Sequence, residues 1–256
     1  MIISTKAWNR YIASLRQMSD KAANVMRQVL NRYNLANLSE NDRKEIIGAA
    51  YDIISKYGEG SGALAGEMYD ALVELAGKSG IVPTAEIAQV SYPEVAKAVN
   101  GTVKTGNPDI VSQAIGRQVK MIGADTTLHN AIRDGAEWAW IPRGDTCAFC
   151  LALASRGWQR ASKAALKNGH AEHIHANCDC TYAVRFDSRT EVEGYKPSRY
   201  LKMYNSADPG GSPKDKINAM RREIYAENKE QINAQKRSAY EKSKERESSA
   251  AEEMDV

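Results

Sequence analysis

No stretch of this chain is apolar for long enough to cross a bilayer, so no membrane-spanning segment is expected. Its first residues, Met1-Ile-Ile-Ser4, lack both a basic start and an extended apolar core. That argues against a secretory leader and for a protein made and kept in a reducing cytoplasm. Charge of one sign is also scarce. Thirty-five Lys and Arg against 32 Asp and Glu leave a formal net charge of +3, too little for a nucleic-acid footprint by itself. Phenylalanine is nearly missing, with two residues against twelve tyrosines, which favours rings that keep one polar edge on water or a partner. With 43% hydrophobic residues over 256 positions, the chain can still bury a real core, as one large domain or two modest ones.

Cysteine is rare too, but it is not scattered. All four cysteines and three of the four histidines fall between Cys147 and Cys180, read as Asp145-Thr-Cys147-Ala-Phe-Cys150, a polar interval, and His170 to Cys180. Two thiolates two residues apart can grip one ion from a tight turn, and a later His and Cys pair can complete a tetrahedral set. Cys147, Cys150, His175, Cys178 and Cys180 are the candidate metal ligands, with His173 and His170 behind them. Only four are needed, and Cys180 competes with His175 for the last place. On an extended segment Cys178 and Cys180 would face opposite ways, so one can ligate while the other packs inward. A set rich in sulfur is normally closed, which points to structural Zn2+ rather than a catalytic ion. The competing explanations are two disulfides, four buried thiols, or a catalytic cysteine with a His partner.

Read in order, the chain is mainly helical up to Gly135. Residues 4–36 carry apolar side chains at three- and four-residue steps, from Trp8 and Tyr11 to Leu30 and Tyr33. Ser39-Glu-Asn-Asp42 is a helix start, and that helix is expected to run to about Lys56. Tyr57-Gly-Glu-Gly-Ser-Gly62 reads as a break, with no Lys-Ser/Thr to make it a phosphate loop, and a third helix follows over 63–76. Short helices are expected around 85–90 and 93–103. A longer one opens at Asn107-Pro-Asp109 and runs to about Gly135, with Ile110, Ala114, Ile115, Val119 and Ile122 on one side. His129 within it reads as a surface or core histidine rather than a ligand.

At Glu137 the pattern changes. Glu137 to Pro142 alternates and is aromatic, as a short strand does, and Thr181 to Phe186 looks like a second strand directly after the last cysteine. A short helix is expected over 150–155. The fold class expected is therefore mainly α: a helical region over 1–135, a small α+β module clipped by zinc over 136–190, a linker over 191–213, and a charged helix with an acidic tail over 214–256. The helical front is expected to fold without the module. The last helix has a thin apolar stripe that needs a partner.

The run Trp140-Ile-Pro-Arg-Gly-Asp-Thr-Cys-Ala-Phe-Cys150, followed by His175-Ala-Asn-Cys-Asp-Cys180, resembles the tailed-phage minor head proteins of the Mu F-like type. That family has an Asp ahead of Cys-x-x-Cys, a variable interval, then His-Pro-x-Cys-Arg-Cys and a strand. Asp145, Cys147, Cys150, His175, Asn177, Cys178 and Cys180 fall on the motif; Ala176 stands for the usual Pro and Asp179 for the usual Arg. The resemblance covers residues 137 to 187. It implies a head-morphogenesis protein in the virion, synthesised in the host cytoplasm. Such a protein is expected to bind the portal or major capsid protein during procapsid assembly and to contact the packaged DNA, with no membrane or small-molecule substrate. No catalytic residues and no enzyme activity are expected. Two other readings remain: a zinc hydrolase or deaminase with Glu172 as general base, and a nucleic-acid binder using Arg156, Arg160, Lys163 and Lys167 around Trp158.

Overall fold

The computed structural model describes residues 2–143, 146–162, 180–231, 233–238 and 240–241. Among these the fold is mainly helical, with two small sheets. β1 (Ile2–Ile3) leads into α1 (Thr5–Leu30), which ends sooner than its apolar pattern suggests. α2 (Glu40–Leu75), α3 (Tyr92–Val103) and α4 (Pro108–Arg133) complete the helical part. Ser39 and Asp42 form a reciprocal cap, each side chain accepting from the other's backbone N–H at 3.1 and 2.9 Å, so the start of α2 is where the sequence signals it. Asn107 caps α4 one way only, its side chain accepting from the Asp109 N–H at 2.8 Å.

The largest departure from expectation is α2. Instead of two helices broken at 57–62, it is one continuous helix of 36 residues, about 54 Å long at the usual rise. The glycines are not a hinge. They let helices approach: a Cβ on Gly58 would collide with Ile122, and one on Gly62 with Ile87. A Cβ on Gly123 of α4 would stand 2.7 Å from Ser61 Oγ, and one on Gly116 would stand 2.9 Å from the Ser19 carbonyl oxygen of α1. Close backbone approach at both crossings outweighs the roughly 1 kcal/mol per glycine lost in helix propensity.

Residues 85–90 are likewise not a helix. They run extended along the groove between α2 and α4. The backbone N–H groups of Ala85, Glu86 and Ala88 donate to Asp70 Oδ1, Asn130 Oδ1 and Thr126 Oγ1 at 2.9–3.0 Å, and Asn130 returns a bond to the Glu86 carbonyl at 2.8 Å. Side chains of two helices thus do for this strap what a neighbouring strand would do. Arg133 closes its near end, donating to the Pro83 and Thr84 carbonyls and pairing with Glu86 at 3.2 Å. Ile110, expected on the inner side of α4, is 42% exposed, while Val111, Ile115 and Val119 are fully buried. His129 is exposed, which fits a surface histidine.

β2 (Glu137–Ile141) pairs antiparallel with β3 (Gln159–Arg160) on one side and β4 (Thr181–Arg185) on the other. Trp138 to Ile141 are all buried rather than alternating, because α2 and α4 pack on the sheet and α5 (Ala148–Ala154) packs on β2. One core cluster gathers Trp8, Tyr11, Ile12 and Leu15 of α1 with Leu128 of α4 and with Trp138, Trp140, Tyr182 and Val184 of the sheet. Residues expected in separate units therefore share a core. A second cluster fills the other end of the bundle, with Met26, Ile46, Ile54, Val95, Val99 and Ile115. The aromatic rings do not all keep a polar edge engaged. Trp8 Nε1, Trp140 Nε1 and Tyr182 Oη are buried with no hydrogen-bond partner among the described residues.

The stretch 191–213 holds more structure than a linker. β5 (Glu191–Val192) pairs parallel with β1, and Glu193 accepts from the Thr5 N–H at 2.7 Å. α6 (Pro197–Ala207) follows, and after a turn at 208–211, α7 (Pro213–Glu227). The thin stripe of α7 finds its partner within the chain: Met220, 2% exposed, packs with Ala148 and Leu151 of α5, flanked by Tyr200, Tyr204, Ile217 and Ile224.

At the end of α4, Asp134 is 5% exposed and accepts from Tyr69 Oη at 2.6 Å and from two nitrogens of Arg133 at 2.8 Å. Burial alone would raise its pKa, but the Arg133 and Tyr69 hydrogen bonds outweigh it and hold the carboxyl below its ordinary value. A depressed folded pKa gives stability that is present above the unfolded value, near 4, and is lost as pH falls through the folded one. Asp134→Asn is therefore expected to lose less stability than the wild type between pH 6 and pH 3 in urea melts. An unchanged pH slope would show that this carboxylate contributes nothing.

Candidate functional site: the cysteine-bearing end of the sheet

The β2–β4 register sets Ile141 opposite Thr181. The chain leaving β2 toward Cys147 and the residue entering β4, Cys180, therefore lie at the same end of the sheet. Cys147 is the cap residue of α5 and Cys150 stands in its first turn. Cys150 is fully buried, Cys180 is 5% exposed, and Cys147 is partly buried against the same core cluster. Thr146 Oγ1 lies 3.9 Å from Cys180 Sγ, bridging the two segments, and Thr146 also donates to the Arg143 carbonyl at 3.0 Å. Burial pushes the Tyr182 hydroxyl well up, with the nearby Asp125 and Cys150 adding to it, so this phenol stays neutral.

Of the five ligands expected from the sequence, Cys147, Cys150 and Cys180 are described; His175 and Cys178 lie outside the described residues, as do His170, His173 and Glu172. Among the described residues no group of three or more His, Cys, Asp or Glu side chains is placed to hold an ion. The three described cysteines do not form a site by themselves. The donor chemistry present would suit zinc: thiols on a tight helix start, with Cys180 set at the same end of the sheet by strand pairing. Cys180 packs inward at the start of β4.

The nucleic-acid reading loses its stacking platform. Trp158 is occupied within the chain, with the Arg185 guanidinium 4.6 Å from its ring centroid and Tyr195 edge-on at 6.1 Å. Arg185 is itself held by Glu137 at 2.6 Å. Arg156 and Arg160 are exposed, and Lys163 and Lys167 lie outside the described residues.

Sequence reasoning missed what borders the cysteines. A groove of about 590 Å3 opens beside Cys147, walled by Arg143 and Thr146, by Arg199, Tyr200 and Met203 of α6, and by Ile224 of α7 with the helical turns beyond it. The one signal available was the run Tyr195–Ala207, which holds three tyrosines and three cations without a single carboxylate.

Among the described residues no helix is long and apolar enough to cross a membrane. No curated protein and no solved structure matches the chain. A family model described as VG15 protein matches residues 2–207, from β1 to the end of α6 and thus across the helical bundle, the sheet and both halves of the cysteine region. That span exceeds half of the chain, and the chain belongs to the VG15 protein family, a family of phage proteins.

Proposed function

We propose that this phage protein is a minor head protein of a tailed phage, a structural component of the virion without enzymatic activity. It joins the portal or the major capsid protein during procapsid assembly and stays beside the packaged DNA. Structural zinc, held by four of Cys147, Cys150, His175, Cys178 and Cys180, fastens the segment between α5 and β4 to the shared core. The observation that supports this reading is the pairing of β2 with β4, which sets Cys180 at the same end of the sheet as the chain that leads from Ile141 to Cys147 and Cys150. Membership of a phage family and the sequence resemblance point the same way. When bound, zinc would supply cross-linking, not Lewis-acid chemistry.

Cys147 gives the cleaner test, because a hydroxyl in place of the fully buried Cys150 thiol would cost about 1–3 kcal/mol whether or not metal binds. Cys147→Ser is expected to abolish stoichiometric zinc in elemental analysis, to lower the melting temperature by as much as chelation lowers that of the wild type, and to reduce incorporation into procapsids co-assembled with portal and capsid protein. Wild-type zinc content and full incorporation in Cys147→Ser would sink the metal part of the proposal.

A further inference from the structure

We infer that α6 and the groove beside it form a docking face for an acidic amphipathic helix of a partner protein. α6 has no buried residue, and Leu201 and Met203 are 45% and 38% exposed on it. Three cations, Lys196, Arg199 and Lys202, are exposed on and beside these apolar positions, and no carboxylate occurs from Tyr195 to Ala207. The groove repeats that composition. Leu151, Tyr200, Met203 and Ile224 give it apolar walls, and Arg143 and Arg199 supply positive charge. Asn228, Gln231 and Gln235, beyond the end of α7, add amides along the rim. None of the described residues lining the groove is acidic. Glu223, Glu227 and Glu230 on the same helical stretch are exposed and outside the lining.

This chemistry selects its occupant. An apolar floor needs apolar anchors, and guanidinium and ammonium groups with no local carboxylate need anionic ones, as an amphipathic helix with Leu-type side chains on one face and Glu or Asp beside them provides. Duplex DNA fits less well. Its phosphates would meet the cations, but they would cover Leu201 and Met203 without burying apolar surface against apolar surface. The inference names a partner chemistry for the head-assembly reading, and it needs no metal.

The test uses the full chain and a fluorescent peptide of about fifteen residues, designed as a helix with Leu at every third or fourth position and Glu on the adjoining face. The comparison probes are a Glu-rich peptide of equal charge without Leu and a short DNA duplex. The Leu-anchored peptide is expected to bind at least tenfold more tightly than either. Its binding should weaken as salt rises, and it should fall at least tenfold in Arg199→Glu/Lys202→Glu and in Met203→Asp, with circular dichroism unchanged. The inference is overturned by no binding of the anchored peptide, equal or tighter binding of the DNA or of the unanchored peptide, or affinity unchanged in both variants. It is also overturned by a concentration-dependent dimer that the same variants abolish, which would make a second copy the occupant. The assay is done on the isolated chain, so its failure leaves particle incorporation as a separate question.

Discussion

Trp140→Ala is expected to destabilise the protein by about 3–5 kcal/mol, the range for removing a large aromatic from a packed core. Trp140 is 1% exposed, its ring meets Tyr182 edge-on at 4.7 Å, and Tyr182 in turn meets Trp138 at 5.0 Å. The strands that carry these rings are short, with five residues in each of β2 and β4, so little besides side-chain packing holds them. The loss should not be confined to the sheet. Trp8, Tyr11 and Leu15 of α1 and Leu128 of α4 belong to the same cluster, so a cavity at Trp140 weakens the bundle as well. Thermal unfolding followed by far-ultraviolet circular dichroism and by tryptophan fluorescence should give one coincident transition, shifted downward by the same amount. Two separated transitions, with the helical signal melting at its wild-type temperature, would mean that bundle and sheet fold independently after all.

Adding one methyl group should have opposite signs at two glycines. Gly116→Ala places a Cβ 2.9 Å from the Ser19 carbonyl oxygen and 3.0 Å from Ser19 Oγ. The oxygen belongs to helix backbone that cannot turn aside, and Ser19 Oγ already donates to the Gly116 carbonyl at 3.0 Å, so α1 and α4 must separate. Overpacking of this kind costs about 1–3 kcal/mol, and Gly116→Leu more. Gly48→Ala, in the interior of α2 with nothing within 4 Å of the added Cβ, should instead stabilise by about 0.5–1 kcal/mol through helix propensity. Urea denaturation of the two variants beside the wild type decides the matter. Stabilisation by both would show that the α1–α4 crossing is looser than the geometry indicates.

These two glycines also show why part of the fold was legible in the sequence and part was not. The caps at Ser39 and Asn107 are local chemistry, and both lie where expected. The strands at 137–141 and 181–185 were visible because an aromatic, β-branched pattern follows helix after helix. The glycines at 58, 60 and 62 read as a break because propensity is a local quantity, whereas the need for Gly58 and Gly62 comes from Ile122 and Ile87, far away in the chain. The strap at 85–90 was invisible for the same reason: the groups that satisfy its backbone are Asp70, Thr126 and Asn130. At the candidate site, spacing singled out Cys147, Cys150 and Cys180, but it could not give the burial of Cys150, which depends on α5 being held between the sheet and the hairpin of α6 and α7. The groove beside Cys147 belongs to that same hairpin, which read as a linker and a lone charged helix.

The most direct test of a structural role in the phage head is quantitative mass spectrometry of purified procapsids and virions made by the phage that encodes this chain. The expected result is its peptides in both particles, at a few copies per portal and far below the major capsid protein. Particles that contain portal and major capsid protein in full amount but none of this chain at either stage would contradict the account.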